Sequence, residues 1–166
     1  MTWQGSDDLR PLLVSVSALQ THPRNARRGD VEVIAQSLSR FGQQRPVLAL
    51  PDGVIVAGNH TYRAAVELDW THVAVVRSDL SDDEAEAYLL ADNRTSDLGE
   101  YDQDALAELL KPRYSADTLL GTGYGRDDVE QLLAELAWRD RFKPGEEPRP
   151  LDVLTERTCP HCGGVL

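Results

Sequence analysis

The stretch that most constrains this chain is an apolar, β-branched run that stops at a glycine and continues at once into a helix-forming segment. The run is Val54–Ala57, the glycine is Gly58, and the segment after it carries Arg63 on its second turn. A strand that enters a helix through a glycine can bind anions, because the first helical amides point outward and the helix dipole favours negative charge. The stretch therefore predicts a phosphate site at Gly58; the alternative is an ordinary strand–turn–helix.

Charge is distributed unevenly along the 166 residues, whose net charge is −11. Between residues 21 and 45 there are five arginines and two acids, whereas eleven acids and one arginine lie between residues 78 and 109. We do not expect nucleic acid to bind over the whole surface, because neutralising phosphates requires clustered cations. An arginine-lined pocket for a phosphorylated ligand is compatible with this distribution, and Arg27 is a candidate for it. The alternative is an exposed basic loop.

Hydropathy and cysteine usage predict a cytoplasmic protein that does not cross a membrane. No apolar run approaches the ~20 residues that a transmembrane helix needs, and the first residues form no signal-like segment. Cys159 and Cys162 stand in a Cys-Pro-His-Cys sequence, typical of one half of a zinc site. Because a closed zinc site needs four ligands, three options stay open: zinc shared with another chain, an incomplete module, or no metal.

Periodicity and capping signals predict short strands that alternate with helices, and hence an α+β fold. Strands are expected at residues 9–19, 46–50, 54–57 and 72–77. Helices are expected after the capping residues Asp30, Ser81 and Asp102, and from about residue 60. The Gly- and Pro-rich run at residues 143–150 predicts a linker or the start of an irregular tail.

A polar cluster closes the first acidic helix and contains Asp92, Asn93, Arg94 and Asp97. Asp92 or Asp97 is a candidate ligand for Mg²⁺, which typically takes one or two carboxylates plus the phosphates of its ligand. Asn93 and Arg94 are candidates for contact with phosphate oxygens. The alternative is a solvated helix end with a local Arg–Asp pair.

These segments, in this order, resemble the N-terminal domain of the ParB family, which has the ParB/sulfiredoxin fold. The family's Pro-x-x-Pro/Ala-Arg loop is similar to residues 23–27, its Gly-x-x-x-Pro-Ile to 42–47, its Gly-Glu-Arg-Arg-x-Arg-Ala to 58–64, and its Glu-Asn-x-x-Arg to 92–96. The resemblance implies a small mixed sheet flanked by helices, followed by C-terminal helices and the tail. The corresponding parts are a domain at residues 9–112, a helical extension at 113–142, and the linker and Cys-x-x-Cys tail at 143–166.

The resemblance implies a site for a nucleoside triphosphate, CTP or ATP, together with Mg²⁺. Asp92 would hold the metal, and Asp92 and His60 would be the catalytic candidates. The chain departs from the family's phosphate motif at residues 59–61. The residues implied in nucleotide or phosphate binding are Arg27, Gly58, Asn59, His60, Thr61, Arg63, Asn93 and Arg94.

The leading interpretation is a nucleotide-binding domain, of the phage or mobile-element type, that acts in phage or plasmid DNA metabolism, with slow hydrolysis serving as a switch. Its expected partners are the nucleotide and either DNA or a DNA-modifying protein, and a homodimer is compatible with the sequence. Three alternatives stay open. They are a metal-dependent DNA nuclease that uses Asp92, Asp97 and His60, a small-molecule kinase of the same fold, and a non-enzymatic adaptor for a DNA-modifying partner.

Overall fold

A five-stranded mixed sheet organises the protein in the computed structural model, which describes residues 2–141. The strands are β1 (Leu13–Ser15), β2 (Gln20–Thr21), β3 (Val47–Ala49), β4 (Val54–Ala57) and β5 (His72–Arg77). Their spatial order is β1-β5-β3-β4-β2. Strand β3 runs antiparallel to β4 and parallel to β5, while β1 is antiparallel to β5 and β2 is parallel to β4. The α+β class predicted from the sequence is confirmed.

Five α-helices accompany the sheet within residues 2–141, and three of them begin after the predicted capping residues Asp30, Ser81 and Asp102. The five helices are α1 (Val31–Phe41), α2 (Asn59–Glu67), α3 (Asp82–Asp97), α4 (Gln103–Ser115) and α5 (Arg126–Arg141). The Asp30 carboxylate accepts the amide of Val33 at 3.1 Å at the start of α1. Ser81 and Glu84 form the capping box of α3. Gly42 ends α1 with a φ of +68°, a conformation that favours glycine.

The single strand predicted at residues 9–19 is wrong, because the structure divides this stretch into 3₁₀ turns and short strands. The turns cover Asp7–Leu12 and Val16–Ala18, on either side of β1. Pro11 lies in the first turn and has no amide hydrogen to donate to a neighbouring strand. In the second turn the Ser15 hydroxyl accepts the amide of Ser17 at 3.4 Å, a local bond that competes with strand pairing.

Helices cover both faces of the sheet, as neighbouring residues of β4 show. Side chains alternate between the two faces along a strand. Ile55 lies in a core that also contains residues of α1 and α2, whereas Val56 packs with Ala85 and Leu89 of α3. Helices α2 and α3 therefore approach the end of β4 from opposite faces, and the space between them is open to a ligand.

Helices α4 and α5 have a core of their own, in which Ala107 and Leu110 pack against Val129 and Leu132. The loop that joins the two helices is bonded to α1, since the Arg40 guanidinium donates to the carbonyl of Thr118 at 2.8 Å. The domain boundary proposed at residue 112 falls inside α4.

A buried amide, the side chain of Gln43, joins three separate segments. Its exposed fraction is 1%. Its Oε1 accepts from Trp3 Nε1 at 2.9 Å and from the Ala74 amide at 2.7 Å. Its Nε2 donates to the carbonyls of Ala74 at 2.9 Å and of Arg45 at 3.1 Å. These bonds fix the N-terminal segment, β5 and the backbone of Arg45 relative to one another.

We expect Gln43→Leu to lower the free energy of unfolding by about 3 kcal/mol, because Trp3 Nε1 and the Ala74 backbone lose their partners away from water. Urea denaturation followed by circular dichroism measures this. The matched control is Gln44→Leu at the exposed neighbouring position, for which a change under about 0.5 kcal/mol is expected. Equal losses in the two variants would contradict a specific role for the buried amide.

Candidate functional site

Gly58 joins β4 to α2 in the left-handed conformation, with φ +90° and ψ +22°. A Cβ atom at this position would lie 2.7 Å from Cγ1 of Val47 in β3, so both the backbone angle and the space require glycine. The first hydrogen bond of α2 runs from the Tyr62 amide to the Gly58 carbonyl at 3.0 Å. The amides of residues 59–61 therefore have no acceptor within the helix and are available to an anion.

The side chain of Asn59 is buried and bonded within the protein. Its Oδ1 accepts the amide of His22 at 2.9 Å, and its Nδ2 donates to the carbonyl of Ile55 at 3.1 Å. Asn59 thus links the end of β4 to the arginine loop, as we name residues 22–30. Among the polar groups of Asn59, the backbone amide is the one left for a ligand.

His60 also contacts the arginine loop. Its Nε2 accepts the amide of Gly29 at 2.8 Å, and the ring has a further hydrogen bond to the backbone of Arg27. Burial, and secondly the positive charge of Arg63, lower the pKa of His60 below its ordinary value of 6.5. A lone pair already bonded to Gly29 is not free to take a proton from a substrate. The geometry therefore favours a positioning role for His60 over the catalytic role expected from the sequence.

A cleft with two lobes, of about 230 Å³ and about 200 Å³, opens beside this junction. The residues that line both lobes are Arg45, Ala57, Gly58, Thr61 and Asp92. The smaller lobe is polar, and its further lining includes Asn25, Arg27, His60, Asn93 and Ser96. The larger lobe is more apolar, and its further lining includes Pro46, Leu48, Val76 and Tyr88. A polar lobe next to a more apolar lobe suits a ligand that carries both phosphates and a ring.

Arg45 is a site residue that the sequence reasoning missed. It lines both lobes, and its guanidinium makes no hydrogen bond or ion pair within residues 2–141. It stands at an unspecified position of the motif matched to residues 42–47, so the motif does not single it out. The one usable signal is topological: Arg45 lies two residues before β3, and the β3–β4 pairing brings that segment beside Gly58.

Arg63 and Arg94, which the sequence placed at the phosphates, do not line either lobe. Both are exposed, and Arg63 lies on the second turn of α2, beyond the free amides. Thr61, Asn93 and Asp92, which the sequence also named, do line the cleft. Within the described residues, then, Arg27 and Arg45 are the cations that face the polar lobe.

The two carboxylates of α3 that the sequence named as candidate Mg²⁺ ligands, Asp92 and Asp97, lie in different surroundings. Asp92 lines both lobes, whereas Asp97 is paired with Arg27 at 2.8 Å. The hydroxyls of Thr95 and Ser96 donate back to helix carbonyls at 2.8 and 2.9 Å. Within residues 2–141, no group of three or more His, Cys, Asp or Glu side chains is placed to hold a metal ion. Cys159 and Cys162 lie outside the described residues, as does the linker.

Two ion pairs connect the arginine loop to α3 across the top of the cleft. Arg24 meets Glu86 at 2.5 Å and Arg27 meets Asp97 at 2.8 Å. Arg27 also donates to the carbonyl of Asn93 at 3.2 Å. Exposed pairs of this kind are each worth about 0–1 kcal/mol, so a ligand phosphate can compete with Asp97 for Arg27.

The helices of the described part of the chain are too short or too polar to span a bilayer.

The fold and the cleft together define an α+β domain with the ParB N-terminal fold. The C-terminally truncated chromosome-partitioning protein ParB from Caulobacter crescentus, solved with CTP-gamma-S, is 22% identical and superposes with a TM-score of 0.61. The match covers 75% of this chain and 77% of that one. At this identity the likeness shows the fold, which confirms the resemblance at the level of architecture.

Two further solved structures are similar. A Pnob8-like ParB-N domain is 14% identical with a TM-score of 0.44, over 81% of this chain and 49% of that one. The Caulobacter crescentus ParB bound to the centromeric parS site is 23% identical with a TM-score of 0.43, over 75% and 71% of the two chains. No protein-family model and no curated protein matches the sequence.

The His60–Gly29 bond predicts a stability that falls on acidification. Because the pKa of folded His60 lies below 6.5, the unfolded chain takes up its proton first, and stability is lost as the pH falls through 6.5 towards the folded value. We expect the urea midpoint to drop more between about pH 7.5 and about pH 5.5 in the native protein than in His60→Gln. An equal drop in both proteins would show that His60 does not contribute.

Proposed function

We propose that the cleft binds a nucleoside triphosphate, CTP or ATP, together with Mg²⁺. The observation that carries this proposal is the convergence of free helix amides, Arg27 and Arg45 on a polar lobe that continues into a lobe of mixed polar and apolar lining. Phosphates suit the first lobe, and a base suits the second, where Pro46, Leu48 and Tyr88 offer apolar contact. A neighbour with the same fold was solved with CTP-gamma-S, which supports CTP as the first nucleotide to test.

The residues of the cleft have distinct roles in this proposal. The backbone amides of residues 59–61 and the guanidinium groups of Arg27 and Arg45 bind the phosphates, and the Asn93 amide adds a neutral contact. Asp92 fits a hard cation such as Mg²⁺, because its carboxylate faces both lobes and is unbonded within residues 2–141. When bound, the cation neutralises phosphate charge. Arg63 and Arg94 are left with a role outside the lobes.

The chemistry of the lining favours a binding switch with slow turnover. Asp92 is the one carboxylate among the described residues that line the two lobes, and His60 already accepts the Gly29 amide. With Asp92 holding Mg²⁺, the described lining offers no second carboxylate and no free imidazole that could act as a general base. Hydrolysis then depends on positioning and on electrostatic stabilisation alone.

We propose that this switch acts in DNA metabolism, with a phage or plasmid as its setting; the neighbour solved with CTP-gamma-S is a chromosome-partitioning protein, which supports a role connected with DNA. The net charge of −11 makes direct capture of DNA over the whole surface unfavourable. We therefore propose that a protein partner provides the contact with DNA.

Calorimetric titration with CTP, ATP and GTP in the presence of Mg²⁺ tests nucleotide binding. We expect Arg45→Gln to weaken the binding of the preferred nucleotide at least about tenfold, because a charge-assisted bond to phosphate is lost. The matched control is Arg63→Gln, the same change one helical turn outside the lobes, for which less than about a twofold change is expected. Absence of binding at millimolar nucleotide would refute the proposal, and equal effects of the two variants would refute the assigned role of Arg45.

The Arg27–Asp97 pair predicts that removing Asp97 improves nucleotide binding. In Asp97→Asn the guanidinium of Arg27 no longer has to leave a carboxylate, so affinity rises by about two- to fivefold, the range that an exposed pair supplies. Glu100→Gln makes the same charge change just beyond α3 and serves as the control. Weaker binding by Asp97→Asn would show instead that Asp97 contributes to the occupied site.

A further inference from the structure

A second cavity lies beside the nucleotide cleft, between α1 and the loop that joins α4 to α5. Its volume is about 470 Å³, within the range of about 300–1,000 Å³ typical of small-molecule sites. Val33, Ile34 and Phe41 of α1 make its lining mainly apolar. Phe41 is 45% exposed, and the guanidinium of Arg40 lies 4.7 Å from the centroid of its ring. We name this cavity the α1 groove.

The loop between α4 and α5 forms the far wall of the α1 groove, and its backbone is held against α1. Gly121 and Gly123 have φ values of +78° and +84°, which favour glycine. A Cβ atom on Gly121 would lie 3.1 Å from the carbonyl oxygen of Gln36. Arg40 bonds to the same loop through the Thr118 carbonyl at 2.8 Å. Since the loop is fixed by these contacts, the groove is preformed.

The α1 groove has a single charged side chain among the described residues that line it. That side chain is Arg45, whose guanidinium is unpaired within residues 2–141. The neutral polar residues of the lining include Ser37, Gln44, Thr61 and Thr122. A mainly apolar surface with one free cation is complementary to a molecule with an apolar body and an anionic end.

We propose that the α1 groove is a second ligand site, for a small amphipathic anion. Its apolar body lies on Val33, Ile34 and Phe41, and its carboxylate or phosphate meets Arg45. The proposal goes beyond nucleotide binding, and its test is made without nucleotide because Arg45 lines both the cleft and the groove. A cavity of about 470 Å³ with one unpaired cation matches the size and charge of a small molecule, so we assign the groove to a small molecule.

Octanoate is the probe, and octanol is the uncharged comparison. Methyl NMR of the full-length chain, without nucleotide, follows Val33 and Ile34 in the groove and Val73, which is fully buried in the sheet, as a measure of intact fold. We expect saturable octanoate shifts at Val33 and Ile34, with octanol binding about tenfold more weakly because it lacks the charge. In Arg45→Gln the two probes should bind equally, and Ser37→Phe, which fills the groove, should abolish both sets of shifts.

Several outcomes would overturn the proposal. Absence of shifts with octanoate, equal binding of octanol to the native protein, or a preference for octanoate that survives Arg45→Gln would each do so. Shifts of Val33 and Ile34 that depend on protein concentration alone would identify the groove as an interface between copies. The NMR experiment contains no nucleotide, so its failure and the failure of CTP or ATP to bind are separate results.

Discussion

The left-handed backbone at Gly58 is the constraint on which the rest of the site depends. It lets β4 end and α2 begin within one residue while Val47 of β3 packs directly against the turn. A side chain at this position could be accommodated in two ways: β3 moves away from β4, or the first turn of α2 unwinds. The first change displaces Arg45, which lies two residues before β3, and the second removes the amides of residues 59–61. One backbone angle therefore holds the cation and the amide donors in register.

The sequence predicted those parts of the fold that depend on neighbours along the chain. The caps at Asp30 and Ser81 and the turn at Gly58 involve bonds within a few residues, so their residue types are visible in a short window. The divided strand at residues 9–19 also has local causes, Pro11 and the Ser15–Ser17 bond, but the alternation of apolar residues does not reveal them. The place of Arg45, in contrast, depends on distant partners. Gln43 shows why: it bonds to groups 31 and 40 residues away, and nothing in its own surroundings signals that burial.

At residues 59–61 the chain differs from the ParB phosphate motif in its side chains. The backbone amides of these residues remain available to an anion, because the substitutions do not change them. Asn59 directs its amide group into the protein, and His60 uses its ring to hold the arginine loop. The outward-facing amides at the start of α2 are thus kept although the motif is altered. Arg63, the arginine of the motif, lies outside both lobes, and Arg45 lines them from a different segment. Motif matching therefore marked a turn that lines the cleft, but it did not mark Arg45.

The ion pairs between the arginine loop and α3 give dissolved salt two opposing effects on how fast a phosphorylated ligand enters. Added salt screens the long-range attraction between the phosphates and the arginines, which slows the encounter. It also weakens the Arg24–Glu86 and Arg27–Asp97 pairs, which frees Arg27 and speeds the step after the encounter. Because each exposed pair is worth only about 0–1 kcal/mol, its release is the smaller of the two effects. For the proposed ligand, the association rate constant therefore declines with ionic strength, but less steeply than at a site built from unpaired arginines.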